Sequence, residues 1–243
     1  LIWFNNYFRL RIAYKILKMA ALAIRNEQSK IVTISAKLIF YGNQATEELA
    51  QKIVDEIHNM YHEPKAFIFL NENAYEFCIR IDYEVVSFDE VIQLAFKNTN
   101  FRYNFIRLEA HNHVTRSFMG FGLGDNVGHW ITSDNLGDST TAAHEFGHAL
   151  GLDHPNLIDF RGLGNPGIMA PRGTIIDQHL QWNPAVVAGE YGGTLKPFHR
   201  RVQAYEIEAI FEDLEFDDNG YAEIGHLSNL LFTENGDVFS VIF

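Results

Sequence analysis

Residues 31 to 41 (Ile-Val-Thr-Ile-Ser-Ala-Lys-Leu-Ile-Phe-Tyr) are dominated by β-branched and aromatic side chains and close on Gly42-Asn43, the pattern of a strand running into a turn. The apolar spacing then lengthens to three and four. Leu49, Ile53, Ile57 and Met60 fall on one face of a helix reaching about Tyr61, which Thr46 can cap and Pro64 ends. Further strands are expected over 66 to 71, 76 to 86, 103 to 109, 116 to 121 and 128 to 132. One early helix among several strands predicts an α+β upper lobe. A turn at Asn135, Gly137 and Asp138 precedes a helix over 140 to 150, with Asp138 or Ser139 as its cap and Gly151 as its stop. Residues 155 to 197 are rich in Gly and Pro and should be mostly irregular loop, and a long ordered loop inside a compact domain usually carries function. A helix is expected over about 199 to 214, with Val202, Ile207, Ile210, Phe211 and Leu214 on its apolar side. Asn219-Gly220 and Asn235-Gly236 mark tight turns in a short β-rich tail.

At 243 residues with 47% hydrophobic, the chain can bury a sizeable core as one domain or as two lobes around a cleft. A formal charge of −12 disfavours nucleic acid as a partner, since phosphate binding needs Lys and Arg clustered on one face. The charge is unevenly spread. Residues 1 to 30 hold six Lys and Arg against the single acid Glu27, whereas nothing after Arg201 is basic and ten residues there are acidic. Cys78 is the only cysteine, so the fold stands without an intrachain disulfide; its alternating neighbourhood, Glu76-Phe77-Cys78-Ile79-Arg80, predicts a buried, inert strand position.

The first residue is Leu1, which reads as a fragment of a longer polypeptide or a processed product. Arg9, Arg11, Lys15 and Lys18 break the apolar sequence too often for a signal peptide, and no transmembrane span is visible. Arg11, Lys15 and Lys18 share one helical face, with Ile12, Ile16, Ala20 and Ala23 on another; residues 1 to 24 therefore permit a basic amphipathic helix at a membrane, against the plainer expectation of a leader or linker helix. The organisation read from sequence is a basic leader or linker over 1 to 30, a main domain over 31 to 216 with an upper lobe (31 to 151) and a lower lobe (152 to 216), and a tail over 217 to 243.

The chemistry concentrates in His144-Glu145-Phe146-Gly147-His148-Ala149-Leu150-Gly151-Leu152-Asp153-His154. The chain's own residue frequencies would produce this pattern by chance on the order of once in ten thousand chains. Residues four apart on a helix differ by about 40° in direction and about 6 Å along the axis, so the imidazoles of His144 and His148 can reach one zinc, with Glu145 beside it. A continuing helix could not deliver His154 to the same ion. Gly151, free to adopt a left-handed conformation, permits the return. Three protein ligands leave the open fourth position of a catalytic zinc.

HExxHxxGxxH followed by a downstream Met resembles the metzincin zinc metallopeptidases. Gly167-Ile168-Met169-Ala170-Pro171 stands where their Met-turn is expected, and its Met-x-Pro form is similar to matrixins. The resemblance is strong over residues 139 to 171, weaker for the strand-helix-strand order upstream and the helix near 199 to 214, and says nothing about residues 1 to 30 or the tail. It implies a zincin-like α+β catalytic domain with a mixed twisted sheet, an active-site helix, an irregular lower lobe and a C-terminal helix. Met169 would lie under the metal, and a Tyr contribution from position 171 is excluded because Pro171 occupies it. Substrate would lie along an edge strand, for which Ser117, Phe118, Met119, Gly120 and Phe121 are the candidates, with 128 to 132 as the neighbouring strand. Gly120, Gly122 and Gly124 would serve a bulge or close substrate approach, or a flexible turn. The implied activity is zinc-dependent endopeptidase action on a protein or peptide substrate, one catalytic Zn2+ activating water and Glu145 acting as general base. The prodomain cysteine latch of matrixins is not recognisable, since Cys78 lacks the Gly and Pro context.

Two other constellations are weaker. His111, His113, Asp125 and His129 are candidates for a second, structural zinc, although their spacing does not match a compact site. Glu215 to Gly220 resembles the start of a calcium loop, but the twelfth position is His226 where a bidentate Glu is required, so an Asn-Gly hairpin turn is expected. Two biological readings remain open: a broad secreted endopeptidase, and a narrow-specificity effector or toxin module of a larger protein, towards which the basic leader and the missing start codon lean. Either acts outside the producing cell. A non-enzymatic reading has zinc only stapling a binding module.

Overall fold

The computed structural model describes residues 20–120, 122–228 and 230–240. The first strand is one that the sequence reading placed in the leader. Ala20–Asn26 (β1) pairs antiparallel with Ile31–Tyr41 (β2) and, on its other side, with Tyr221–Gly225 (β8) of the tail. Alanines are good helix formers, and a helical face was expected of Ala20 and Ala23; here both are fully buried in the sheet, where pairing on two sides overrides propensity. The rest of the expected leader helix, residues 1 to 19, lies outside the described residues. Among the described residues no helix is long and apolar enough to cross a membrane.

Among the described residues the fold is α+β, with a curled mixed sheet and four α-helices. Strand β2 is its spine. It runs parallel to Asn73–Val85 (β4) along nearly its whole length, while its other edge is shared between β1, over Ile31 to Ser35, and Tyr103–Glu109 (β5), over Lys37 to Tyr41. Phe67–Leu70 (β3) adds antiparallel outside β4; Val127–Ile131 (β7) adds parallel to β5, and Phe118–Met119 (β6) closes that side antiparallel to β7. Period-two alternation divides β2 between two cores. Val32, Ile34, Ala36, Leu38 and Phe40 face the larger one, with Glu47–His62 (α1), Thr141–Ala149 (α3) and Ala204–Phe211 (α4), whereas Ile39 and Tyr41 face a smaller one.

That smaller core is covered by Phe88–Phe96 (α2) and by the hairpin of Leu230–Phe232 (β9) and Val238–Ser240 (β10). The hairpin turns at Gly236, with φ +91°, as the Asn-Gly signal implies. Helix α2 was not expected, although Ser87 and Glu90 form a reciprocal capping box at its start. The Asn219-Gly220 turn leads from α4 into β8, whose partner is β1, so it does not close a hairpin.

The C-terminal helix is shorter than periodicity implied. Pro197–His199 makes a single 3-10 turn, Val202 is buried outside any helix, and α4 begins only at Ala204. Residues 155 to 196 are irregular apart from the short turn Gln178–Leu180 and isolated bridges such as Asp159 with Ile175 and Gln181 with Leu195, and close on a small core of Phe160, Ala170, Ile176, Leu180 and Leu195. Cys78 is on β4 but only half-buried, with Sγ 3.7 Å from His62 Nε2, and so is less enclosed than expected.

Candidate metal centre

Helix α3 carries His144, Glu145 and His148, and its position is set from outside itself. Its cap residue, Thr140, makes no capping bond with its side chain. In that role stands Glu56, buried on α1, which accepts from the Ala143 N–H at 3.1 Å and from the Gly137 N–H at 2.8 Å. A carboxylate here satisfies otherwise orphaned donors and complements the positive end of the helix dipole. Burial still pushes the Glu56 carboxyl above its usual range, with these backbone bonds opposing the shift.

At the other end Gly151 takes φ +92°, Leu152 N–H donates to Gly147 O at 3.0 Å, and the chain reverses. The reversal does two things. It returns His154 to the helix, and it aims Leu152 O at His148, whose Nδ1–H donates to it at 2.8 Å. His144 Nδ1–H donates likewise to Ile168 O at 2.7 Å. With Nδ1 committed as donor, the lone pair of each of these two rings is on Nε2. The Nε2 atoms converge: His154 Nε2 is 3.2 Å from that of His144 and 3.2 Å from that of His148. Nitrogen ligands about 2.0–2.1 Å from a tetrahedral zinc would lie about 3.3 Å apart, so the donor set fits such an ion. These three histidines could hold a metal ion, and they are the one group of three or more His, Cys, Asp or Glu among the described residues with that geometry. Burial lowers the pKa of all three, which keeps them neutral and available as ligands below the usual histidine range.

Met169 is 2% exposed and packs under α3, where a side chain on Gly147 would collide with its Sδ. Its backbone is held by a second buried carboxylate. Glu206 on α4 accepts from Met169 N–H, Ile168 N–H and Gln203 N–H, each at 2.9 Å, and only glycine at position 167 leaves room for it. Glu206 thus fixes the peptide whose carbonyl orients His144.

The histidines open onto a cleft of about 360 Å3, lined also by Glu145, Ser117, Phe118, Met119, Pro171 and three arginines, Arg116, Arg172 and Arg200. Glu145 is 7% exposed, and its carboxylate has no hydrogen-bond partner among the described residues. Burial drives its pKa up to about 8, with the cation of Arg200 the largest opposing influence. A dication at the histidines would lower it further. Arg200 is itself buried, bonded to Thr140 Oγ1 and Ala170 O, and pulled down to about 10 by that burial, so it stays charged at neutral pH.

The edge stretch expected over 117 to 121 is strand only at Phe118–Met119. Ser117 is tied inward, its N–H to Asp134 at 2.7 Å and its Oγ accepting from Ile131 N–H at 3.0 Å. A side chain at Gly120 would collide with Asp125; Gly124 takes φ +80° and donates to His148 O at 2.7 Å, at the C-terminal end of α3. Phe121 lies outside the described residues. The second metal constellation does not assemble. His129 is spent between Asn112, at 3.2 Å, and Glu234 O, at 3.1 Å; His113 is bonded to Asn235 O at 2.7 Å, and no second metal-holding group occurs among the described residues.

Sequence reading missed Glu56, Glu206, Arg116, Arg172 and Arg200. Glu56 had a signal, because it falls at an apolar-face position between Ile53 and Ile57. Glu206 stands three residues after Gln203 in the spacing of a capping box. No family model and no curated protein matches the sequence.

Proposed function

We propose that the protein is a zinc-dependent endopeptidase, metzincin-like and matrixin-like in its Met-x-Pro turn, which hydrolyses peptide bonds of protein substrates. The observation that carries the reading is the convergence of three Nε2 atoms, 3.2 Å apart across His154, at a cleft that also holds the buried carboxylate of Glu145, which has no hydrogen-bond partner among the described residues. Zinc held there would polarise the scissile carbonyl and make water acidic enough to supply hydroxide near neutral pH. Glu145 takes the proton of the attacking water and returns it to the leaving nitrogen. Burial raises the Glu145 carboxyl, and a dication at the histidines would bring it back towards the range in which an ionised carboxylate accepts a proton near neutral pH. The edge strand Phe118–Met119 offers the main chain along which an extended substrate can lie, and the Ile168 carbonyl keeps the His144 imidazole in place.

A zinc-stapled binding module would need the histidines but not Glu145. Glu145→Gln keeps the shape and cannot accept the proton, so zinc content and thermal stability should persist while hydrolysis falls by about 10²–10⁴-fold. His148→Ala should lose both metal and activity. Cleavage of a casein or proteome digest by Glu145→Gln at the parental rate would show that the assigned mechanism is wrong.

A further inference from the structure

Three arginines line the cleft in a chain whose formal charge is −12 and which has only 19 Lys and Arg. They are in different states. Arg172 is paired with Asp134. Arg116 is exposed, and its side chain has no bond or ion pair among the described residues. Arg200 is 2% exposed; Nε donates to Thr140 Oγ1 at 2.9 Å and Nη1 to Ala170 O at 3.2 Å, both neutral acceptors, and no carboxylate comes within 4.0 Å among the described residues. Buried cations are ordinarily paired, because leaving water without a counter-ion is unfavourable. The nearest acids act on Arg200 only through space, and Glu145, the first of them, is the base of the proposed reaction. The two neutral bonds orient the guanidinium and leave Nη2 without an acceptor among the described residues. Its planar fork matches a carboxylate.

We infer that the cleft recognises a carboxylate of the substrate beside the scissile bond, bound by Arg200 with Arg116 adding to the attraction, so that the protein selects anionic peptides. The inference rests on the peptidase reading of the same site. The carboxylate can come from an Asp or Glu side chain or from the free C-terminus of a peptide. The binding chemistry is shared, and the two sources are separable by experiment.

The zinc-loaded protein is incubated with a proteome-derived peptide library and the new termini are mapped. Enrichment of Asp and Glu at one position next to the cut, or of cuts adjacent to a free C-terminus that amidation abolishes, is the expected result and names the source. Binding is read separately with zinc-loaded Glu145→Gln and a pair of fluorescein-labelled peptides differing only as Glu and Gln, each as free acid and amide. The charged member should bind about tenfold or more tightly. Arg200→Lys keeps the charge but not the fork, and should cut that preference severalfold; Arg116→Gln, at an exposed residue, should reduce it without threatening the fold. Cleavage with no acidic preference overturns the inference and leaves the peptidase reading standing. No cleavage together with a Glu-over-Gln binding preference sinks the peptidase reading and keeps anion recognition. A preference that survives both arginine substitutions overturns the assignment to these residues.

Discussion

Glu206→Gln tests whether the metal centre is held from the C-terminal helix. The two carboxylate oxygens of Glu206 accept three backbone N–H groups, from Ile168, Met169 and Gln203, at 2.9 Å each, in a residue only 6% exposed. Glutamine offers one oxygen and turns an NH2 group towards the remaining donors, so at least one buried N–H loses its acceptor. An unsatisfied buried donor costs about 1–3 kcal/mol. Relief from ionising a buried carboxyl, whose pKa burial already raises, offsets part of that. The expected net loss is about 1–2 kcal/mol, or a melting temperature lower by about 2–8 °C for a domain of this size. The loss should reach the metal. Ile168 O orients His144, and disturbing such an outer partner typically weakens metal affinity about 10–100-fold. Zinc affinity is measured by competition with a chromophoric chelator and stability by calorimetry, with the exposed neighbour Glu208→Gln as control. Zinc affinity within twofold of the parent, alongside lowered stability, would refute the link between Glu206 and the ligands.

Gly151→Val should impose backbone strain of about 1–2 kcal/mol, since φ is +92° and a side chain would meet nothing within 4 Å, and should weaken zinc binding by shifting Leu152 O and His154; Gly151→Asn should bind nearly as the parent. Equal zinc affinities for Val, Asn and Gly would remove the turn from the account. The raised Glu56 carboxyl contributes stability that is fully present below its ordinary 4.5 and lost as pH rises through the higher folded value, so the stability difference between parent and Glu56→Gln in denaturant titrations should shrink with rising pH. A difference that grows instead would contradict the burial-raised pKa. Free zinc at about 100 times its dissociation constant should stabilise the chelated protein by about 2.7 kcal/mol, and an unchanged melting temperature would count against a native-state site.

Much of what the sequence determined is local. Thr46 does cap α1, and its side chain accepts the Leu49 N–H at 3.2 Å; the β-branched run over 31 to 41 is β2; and α3 with its Gly151 stop follows from helix period and glycine freedom. The two helical histidines and the returning third needed only those local rules to be named together. Period and turn chemistry could not show that Ala20–Asn26 is a strand, because that depends on pairing with β2 and with β8, almost the whole chain away. Nor could they bring the supporting charges to the site. Glu56 reaches Ala143 across 87 residues, Arg200 reaches Thr140 across 60, and Glu206 reaches Met169 across 37. The spacing of His144, Glu145 and His148 along α3 is fixed by covalent geometry and 3.6-residue periodicity, whereas the carboxylates that clamp this segment and the cation that faces Glu145 are placed by packing between distant segments, which only the tertiary structure decides.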